Sequence, residues 1–176
     1  MAAGVKTVDV PDILPVTNGG YTMAITRQSM SDEQRKSVAL EYFKSMDNGG
    51  VTSDGHSMFT LFDERAQAYF PKWGLANGRA EIERMFSDVG TILKGITHHY
   101  ATFNWVFSGS DIVVVEGTSH GEHREGPWRA GTPEWAAGRF CDVFEIRDFL
   151  IQRVFIYLDP DYAAKDVARY PWLSHD

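Results

Sequence analysis

Residues 138–159 read GRFCDVFEIRDFLIQRVFIYLD, and the order of side chains in this stretch predicts two paired β-strands. At a spacing of two, the first half places Phe140, Asp142, Phe144 and Ile146 on one face of a strand. The chain then turns at the charged residues in the middle of the stretch and returns as a second apolar strand. The stretch therefore predicts a β-hairpin with one apolar face.

Asp142 is the single ionisable group in that apolar face. A buried carboxylate must be paired, hydrogen-bonded or held neutral, because the loss of water disfavours its charged form. Two interpretations follow from the residue alone. Asp142 is either a structural residue that accepts hydrogen bonds or a functional carboxyl group in a cleft, where perturbed pKa values concentrate.

The composition sets limits on the class of protein. A chain of 176 residues with 43% hydrophobic and 13% aromatic residues can form one domain with a large aromatic interior or pocket. A net charge of −7 argues against nucleic acid or an anionic membrane as the main partner. The single cysteine, Cys141, excludes an intrachain disulfide and a cysteine-based zinc site. No apolar run has the length of a signal peptide core or a membrane span, so we expect a cytoplasmic protein.

The chain is predicted to consist of an N-terminal extension, residues 1–30, and a single domain, residues 31–176. The extension has no clean hydrophobic period and contains two prolines and an Asn-Gly-Gly turn. Helix signals begin where Ser31-x-x-Gln34 fits a capping box, and they end at the Asp-Asn-Gly-Gly run of residues 47–50.

The remaining elements follow from periodicity and turn residues. A short second helix is predicted around residues 54–62, and a strongly amphipathic third helix follows Asn77-Gly78. A long loop with Trp128 and Trp135 is a candidate lid. Besides the hairpin, strands are predicted over residues 65–70, 97–107 and 111–123, and a short terminal helix follows Asp159-Pro160. This order predicts an α+β fold with a curved antiparallel sheet and helices on its concave face.

The order of elements, with the residues at each junction, resembles the nuclear transport factor 2-like superfamily, and within it the SnoaL-like group. The resembling segments are ALEYFKSMDNGG (39–50), LFDERAQAYFP (61–71), NGRAEIERMF (77–86) and GRFCDVFEIRDFLIQRVFIYLDP (138–160). The resemblance implies a cone-shaped fold with a deep pocket between sheet and helices, commonly as a homodimer. It does not fix the function, because the superfamily contains isomerases, cyclases, dehydratases and non-enzymes.

Ketosteroid isomerases provide the first residue-by-residue comparison. Their first-helix Tyr matches Tyr42, and their oxyanion-holding Asp matches Asp142. Their general base is an Asp immediately before a strand-ending Pro, and Phe70 occupies that position here. The resemblance therefore disfavours steroid isomerisation by that mechanism.

Scytalone dehydratase and the SnoaL-like cyclases provide the second comparison. The two histidines of the dehydratase match His98 and His123, but its helix-borne Asp corresponds to Lys44. SnoaL-like cyclases use an Asp–His pair in the same cone, which is closer to what this chain retains.

We therefore name Asp142, Tyr42, His98 and His123 as candidate catalytic residues. Proton transfer beside a carbonyl group needs a base that works near neutral pH and a hydrogen-bond donor at the oxygen. Asp142 fits either role, Tyr42 fits a donor, and a histidine supplies the second proton-transfer group. The predicted pocket-lining residues are Phe43, Phe70, Trp105, Phe140, Phe144 and Ile156.

The histidines have competing interpretations. Only one of His98 and His99 can face the pocket from a strand, and we prefer His98, although a solvated strand-end histidine is the commoner case. His120 and His123 lie three residues apart on a strand, on opposite faces, which is a poor spacing for shared metal ligation. We expect no metal and no cofactor, since nucleotide-binding and acyl-enzyme motifs are absent from the sequence.

Two functions from different classes remain open at this stage. The first is a cofactor-independent lyase or isomerase that acts on a hydrophobic carbonyl compound. The second is a non-catalytic ligand-binding or dimeric accessory module of the same fold. In both, the expected partners are a hydrophobic small molecule and a second copy of the chain.

Overall fold

The structure is a computed structural model that describes residues 29–124, 126–127 and 138–161. Two α-helices, two 3-10 turns and eight strands occur in these residues. The helices are α1 (Asp32–Asp47) and α2 (Arg79–Ile92), and the 3-10 turns are Met58–Leu61 and Tyr100–Thr102. The strands are β1 (Phe62–Phe70), β2 (Gly74–Asn77), β3 (Leu93–His98), β4 (Asn104–Ser108), β5 (Ile112–His123), β6 (Gly126–Pro127), β7 (Arg139–Arg147) and β8 (Leu150–Leu158).

Helix α1 begins as its sequence predicts. The Ser31 hydroxyl accepts a hydrogen bond from the Gln34 backbone N–H at 3.2 Å, and the Gln34 side chain accepts from the Ser31 N–H at 2.8 Å. Asn48 caps the C-terminal end, and Gly49 and Gly50 follow with φ of 67° and 88°. The capping box and the stop signal are both confirmed.

Helix α2 packs its apolar face on the sheet. It starts after Gly78, whose φ of 81° suits glycine. The buried side chains are Ile82, Met85, Phe86 and Val89. The chain passes directly from Ile92 into β3, so the end of α2 lies next to the start of β3.

The sheet has the order β2-β1-β8-β7-β5-β3, with β4 and β6 paired to β5 beside this path. The α+β cone with helices on a curled sheet is confirmed. The predicted hairpin forms as β7 and β8, joined at Asp148 and Phe149, which both have positive φ. The sheet is mixed rather than wholly antiparallel, because β1 pairs with β8 in parallel. No hairpin joins these two strands, so chain connectivity does not impose an antiparallel direction on them.

Two predicted elements differ from the structure. The helix expected around residues 54–62 is a 3-10 turn, Met58–Leu61, and Phe62 already belongs to β1. The single strand expected over residues 97–107 is broken after His98. Its two halves pair with different parts of β5, β3 with residues 119–123 and β4 with residues 112–116.

Three predictions fall on residues that the structure does not describe. These are most of the N-terminal extension (residues 1–28), Trp128 and Trp135 of the candidate lid, and the terminal helix after Asp161. Among the described residues, no helix has the length and apolar character needed to cross a membrane.

Candidate acid–base site

Asp47 is the last residue of α1, a position where the helix dipole disfavours a negative charge by about 0.3–1 kcal/mol. Its carboxylate needs donors that compensate this cost. His98 supplies three contacts. Its ring Nδ1 lies 2.6 Å from Oδ1, and its backbone N–H donates to Oδ1 and Oδ2 at 3.2 and 3.1 Å. The Tyr100 hydroxyl donates to Oδ2 at 2.5 Å.

These donors set the charge state of Asp47. Burial raises the pKa of Asp47, but the hydrogen bonds from the His98 ring, the Tyr100 hydroxyl and the His98 N–H outweigh it. The pKa therefore lies below its usual value, and the carboxylate is ionised at neutral pH. An ionised carboxylate only accepts hydrogen bonds, so His98 Nδ1 carries the proton of this contact. Nε2 of a neutral His98 is then the unprotonated nitrogen.

His98 is fixed from both sides. Its ring packs on Phe43 and Phe140, with centroids 4.9 and 5.4 Å apart, and the side chain is buried. Of the two adjacent histidines, His98 is buried, while the His99 ring lies 2.6 Å from the ring of His120.

Asp142 lies in the middle of β7, where it is paired with Val115 on β5 and Ile156 on β8. It is only 4% exposed, and its Oδ1 has no hydrogen-bond partner among the described residues. Burial raises the pKa of Asp142 well above its usual value. The neutral, protonated carboxyl is therefore favoured over a much wider pH range than for an exposed Asp.

Tyr42, His98 and Asp142 come together around one inner cavity of about 30 Å³ between α1, α2 and the sheet. This volume suits a water molecule or a single functional group rather than a whole substrate. The lining residues are Tyr42, Met46, Phe70, Val89, Leu93, Ile96, His98, Ser119, Phe140, Asp142, Ile156 and Leu158.

A larger outer chamber of about 630 Å³ lies between the C-terminal halves of α1 and α2 and the start of β3. It shares Met46, Val89, Leu93 and Ile96 with the inner cavity, so these four side chains form the boundary between them. Its volume is typical of small-molecule pockets. The other lining residues are Asp47, Gly49, Gly50, Met58, Phe59, Glu83, Phe86, Ser87, Gly90, Lys94 and Gly95.

The structure brings some predicted pocket residues to the inner cavity and leaves others elsewhere. Phe70, Phe140 and Ile156 are in its wall. Phe43 and Phe144 are buried in the core and contact the rings of His98 and Tyr42, respectively. Trp105 lies on β4 with Lys36 over its ring, away from the cavity lining.

His123, the fourth candidate catalytic residue, also lies outside the cavity lining. It ends β5 opposite Leu93, four residues beyond Ser119, which does line the cavity. His120 is on the opposite face of β5, where its ring nitrogen lies 2.6 Å from that of His99. The described residues contain no group of three or more His, Cys, Asp or Glu side chains that could hold a metal ion.

Asp47 is the residue that sequence reasoning missed. The sequence predicts only a helix stop at residues 47–50, and Lys44 corresponds to the helix-borne Asp of the dehydratase. The carboxylate that meets His98 is one helical turn further along. One signal in the sequence points to it, because an Asp in the last turn of a helix opposes the dipole and requires a partner.

The comparisons with known proteins agree with this fold. The sequence model of the SnoaL-like domain matches residues 39–154, a span that includes Tyr42, Asp47, His98 and Asp142. No protein with a curated description matches the chain.

Several solved structures are similar. An NTF2-like protein from Anabaena variabilis is 20% identical, with a TM-score of 0.58 over 77% of this chain and 96% of that one. A candidate polyketide cyclase from Xanthomonas campestris is 16% identical, with a TM-score of 0.56 over 72% and 91%. TerC, co-crystallised with polyporic acid, is 18% identical, with a TM-score of 0.55 over 81% and 99%. At these identities the similarity shows the fold.

Proposed function

The chain belongs to the SnoaL-like domain family, and we propose that it is a cofactor-independent enzyme that moves a proton beside the carbonyl group of an apolar substrate. The observation that carries this proposal is the placement of His98 and Asp142 on one cavity. In this cavity His98 offers an unprotonated nitrogen, and Asp142 offers a protonated oxygen.

His98 acts as the general base. Ionised Asp47 holds the proton on Nδ1, which leaves Nε2 free to accept a proton from the substrate. Asp47 also stabilises the imidazolium that forms, in the way a buried carboxylate supports a catalytic histidine.

Asp142 acts as the hydrogen-bond donor. A carboxyl group that is kept neutral by apolar surroundings can donate to an oxygen that becomes negative in the transition state. Its Oδ1 has no partner among the described residues, so the group is not committed to a structural hydrogen bond through that atom. Tyr42 lines the same cavity and is the second candidate donor.

The proposed proton transfer needs no oxidant or reductant. His98 Nε2 takes a proton from the carbon next to the carbonyl, and the C–H electron pair becomes the double bond of the enolate. The enolate oxygen accepts a hydrogen bond from Asp142. The imidazolium then returns the proton to another carbon in an isomerisation, or to a departing hydroxyl group in a dehydration.

The two cavities support a substrate with an apolar body. The outer chamber has room for the body, while the inner cavity admits one functional group. Polyketide cyclases appear among the names of the structural neighbours, and TerC was crystallised with polyporic acid. We therefore propose a polyketide-like or other cyclic carbonyl compound as the substrate class.

The test is a screen of cyclic enones, phenols and polyporic acid for isomerisation, dehydration or cyclisation by the full chain. With a turned-over substrate in hand, we expect D142N and H98N each to lower kcat about 100-fold or more. The control is D148N, a matched change at the exposed hairpin tip, which should leave kcat unchanged. Full activity of both cavity variants would contradict the proposal.

A second candidate function is a non-catalytic ligand carrier, and the small inner cavity favours it. At about 30 Å³ the space beside Asp142 is far below the size of a cyclic substrate. A carrier would bind a ligand in the outer chamber without converting it. Unchanged ligand affinity in D142N, together with the absence of turnover, would support this function over the enzyme.

We also propose a homodimer formed through the outer face of the sheet. Val106 on β4 and Tyr157 on β8 are 52% and 51% exposed and line one groove of about 440 Å³. Exposed apolar side chains that share a groove are typical of a contact surface. Light scattering after gel filtration should give twice the chain mass, and V106E should reduce it to one chain.

A further inference from the structure

The chain changes direction immediately after His98, and this turn brings Tyr100 to the site. Strand β3 ends at His98, and the 3-10 turn Tyr100–Thr102 follows instead of a continuing strand. Hydrogen bonds hold the turn at both of its ends. The His99 N–H donates to the Thr118 carbonyl at 2.9 Å, and the Thr102 hydroxyl donates to the His99 carbonyl at 2.8 Å.

The Tyr100 hydroxyl then completes the set of donors around the Asp47 carboxylate. Oδ1 accepts from the His98 ring, Oδ2 accepts from Tyr100, and the His98 N–H lies between the two oxygens. Without Tyr100, Oδ2 would retain only the 3.1 Å contact to the backbone. Rotation of an Asp carboxylate about its last bond is only broadly restricted, so the Tyr100 hydroxyl adds to the His98 donors in fixing its plane.

The contact between Tyr100 and Asp47 is not ordinary core packing, because Tyr100 is partly exposed. The residue is 38% exposed, and its ring meets Phe103 at a centroid distance of 5.3 Å. Its hydroxyl is directed at Asp47, at 2.5 Å, which is short for an O–H···O contact and typical of a charged acceptor.

We propose that Tyr100 is a positioning residue that holds the Asp47 carboxylate in the orientation that keeps the His98 proton on Nδ1 and leaves Nε2 available to the inner cavity. This inference rests on the proposed function for its meaning, since it concerns the same general base. The hydrogen bonds themselves can be measured without a substrate.

The experiment is NMR of the full chain, with ¹⁵N-histidine and ¹³C-aspartate labels, in the wild type and in Y100F. This substitution removes one hydroxyl and keeps the ring. We expect the pKa of the Asp47 carboxyl to rise in Y100F, because one of the hydrogen bonds that lower it is lost. We also expect the ¹⁵N shifts of neutral His98 to change from the pure Nδ1–H tautomer to a mixture of the two tautomers.

The matched control is Y157F, which removes the hydroxyl of a tyrosine on the outer face and should change neither readout. An Asp47 titration and a His98 tautomer that are the same in Y100F and the wild type would overturn the inference. That result would leave the proposed function standing. A kcat of H98N equal to that of the wild type would instead reject the proposed function. If the Y100F shifts were still present, Tyr100 would remain the residue that orients Asp47.

Discussion

At the scale of single residues, Asp47 and Asp142 are the same side chain in opposite environments. Asp47 receives donors on both oxygens, and its pKa is lowered despite partial burial. Asp142 is enclosed by apolar strands, and burial raises its pKa. Pairs of groups whose environments move their pKa values apart are typical of acid–base sites, since each then holds the charge its role requires.

The first prediction concerns stability and pH in D142N. The folded state holds the Asp142 proton more tightly than the unfolded chain, so stability falls as pH rises from the ordinary pKa of 3.8 through the raised folded pKa. Asn cannot ionise and keeps the shape of the carboxyl group. D142N should therefore be more stable than the wild type at neutral pH, with little difference below about pH 4. Urea unfolding across this pH range is the measurement.

D47N is the control with the opposite sign. A lowered folded pKa contributes stability above the ordinary value of 3.8, and this stability is lost as pH falls through the folded pKa. D47N should be less stable than the wild type at neutral pH and approach it in acid. Equal effects of the two variants at neutral pH would contradict the assignment of charges.

The sequence predicted the residues of this site unevenly. The period of two in β7 placed Asp142 among Phe140, Phe144 and Ile146, and the structure buries all four. Asp47 was not found, because its partner His98 is 51 residues away and no local pattern links the two. Long-range pairs of this kind depend on how α1 crosses the sheet, which periodicity does not specify.

At the scale of elements, the break between β3 and β4 shapes the site. Phe103 follows the 3-10 turn and covers Gly117 on β5. A Cβ at Gly117 would lie 2.8 Å from the Phe103 ring and 2.9 Å from the Phe140 ring. The aromatic pair can therefore close over β5 only because residue 117 has no side chain.

The second prediction follows for G117A. The added methyl group would force Phe103 and Phe140 apart in a packed core, which should destabilise the protein by about 1–3 kcal/mol. Phe140 also lines the inner cavity and contacts His98, so the His98 signals should shift as well. Thermal unfolding and NMR spectra provide the two readouts.

G95A is the matched control on β3. No atom lies within 4 Å of a Cβ at Gly95, and its φ is not positive. The change should alter stability by less than about 0.5 kcal/mol. If G117A destabilised the protein no more than G95A, the close packing of Phe103 and Phe140 on Gly117 would be contradicted.

Elements with local signals were predictable, and the break in the 97–107 strand was not. The capping box and the glycine stop lie within a few residues of the ends of α1. Helix α2 follows from its apolar face alone. The break after His98 places Phe103 over Gly117, and these two residues meet only when β4 folds back on β5. The 3-10 turn at Met58–Leu61 ends where Phe62 begins β1.

At the scale of the whole molecule, the two helices and the curled sheet enclose a small inner cavity next to a larger outer chamber. The family and the cone follow from the order of segments along the chain, and both are confirmed. The volumes of the cavities are not predictable from the sequence, because the inner one alone depends on how side chains from seven helices and strands fit together.

The third prediction concerns Ile96, which lies on the boundary between the inner cavity and the outer chamber. Ile96 lies on β3 and lines both cavities. A Trp side chain in its place would extend into the outer chamber, so I96W should fold and should bind an apolar probe at least ~tenfold more weakly. Calorimetric titration with 8-anilinonaphthalene-1-sulfonate is a suitable measurement.

T97W is its control. Thr97 is the next residue on β3, so its side chain points to the opposite face, and it is exposed. The same Trp there should leave the affinity unchanged. Equal affinities of I96W and the wild type would mean that the probe binds outside the outer chamber.

The most direct test of the central claim is a ¹³C carboxyl titration of Asp47 and Asp142 in the wild-type protein. The account predicts that Asp142 titrates above its ordinary pKa and Asp47 below it, and that a bound cyclic enone or phenol shifts the Asp142 signal. An Asp142 that titrates at or below the ordinary value would be an ionised, hydrogen-bonded structural residue. That result would contradict the acid–base site and leave ligand binding as the better description of this fold.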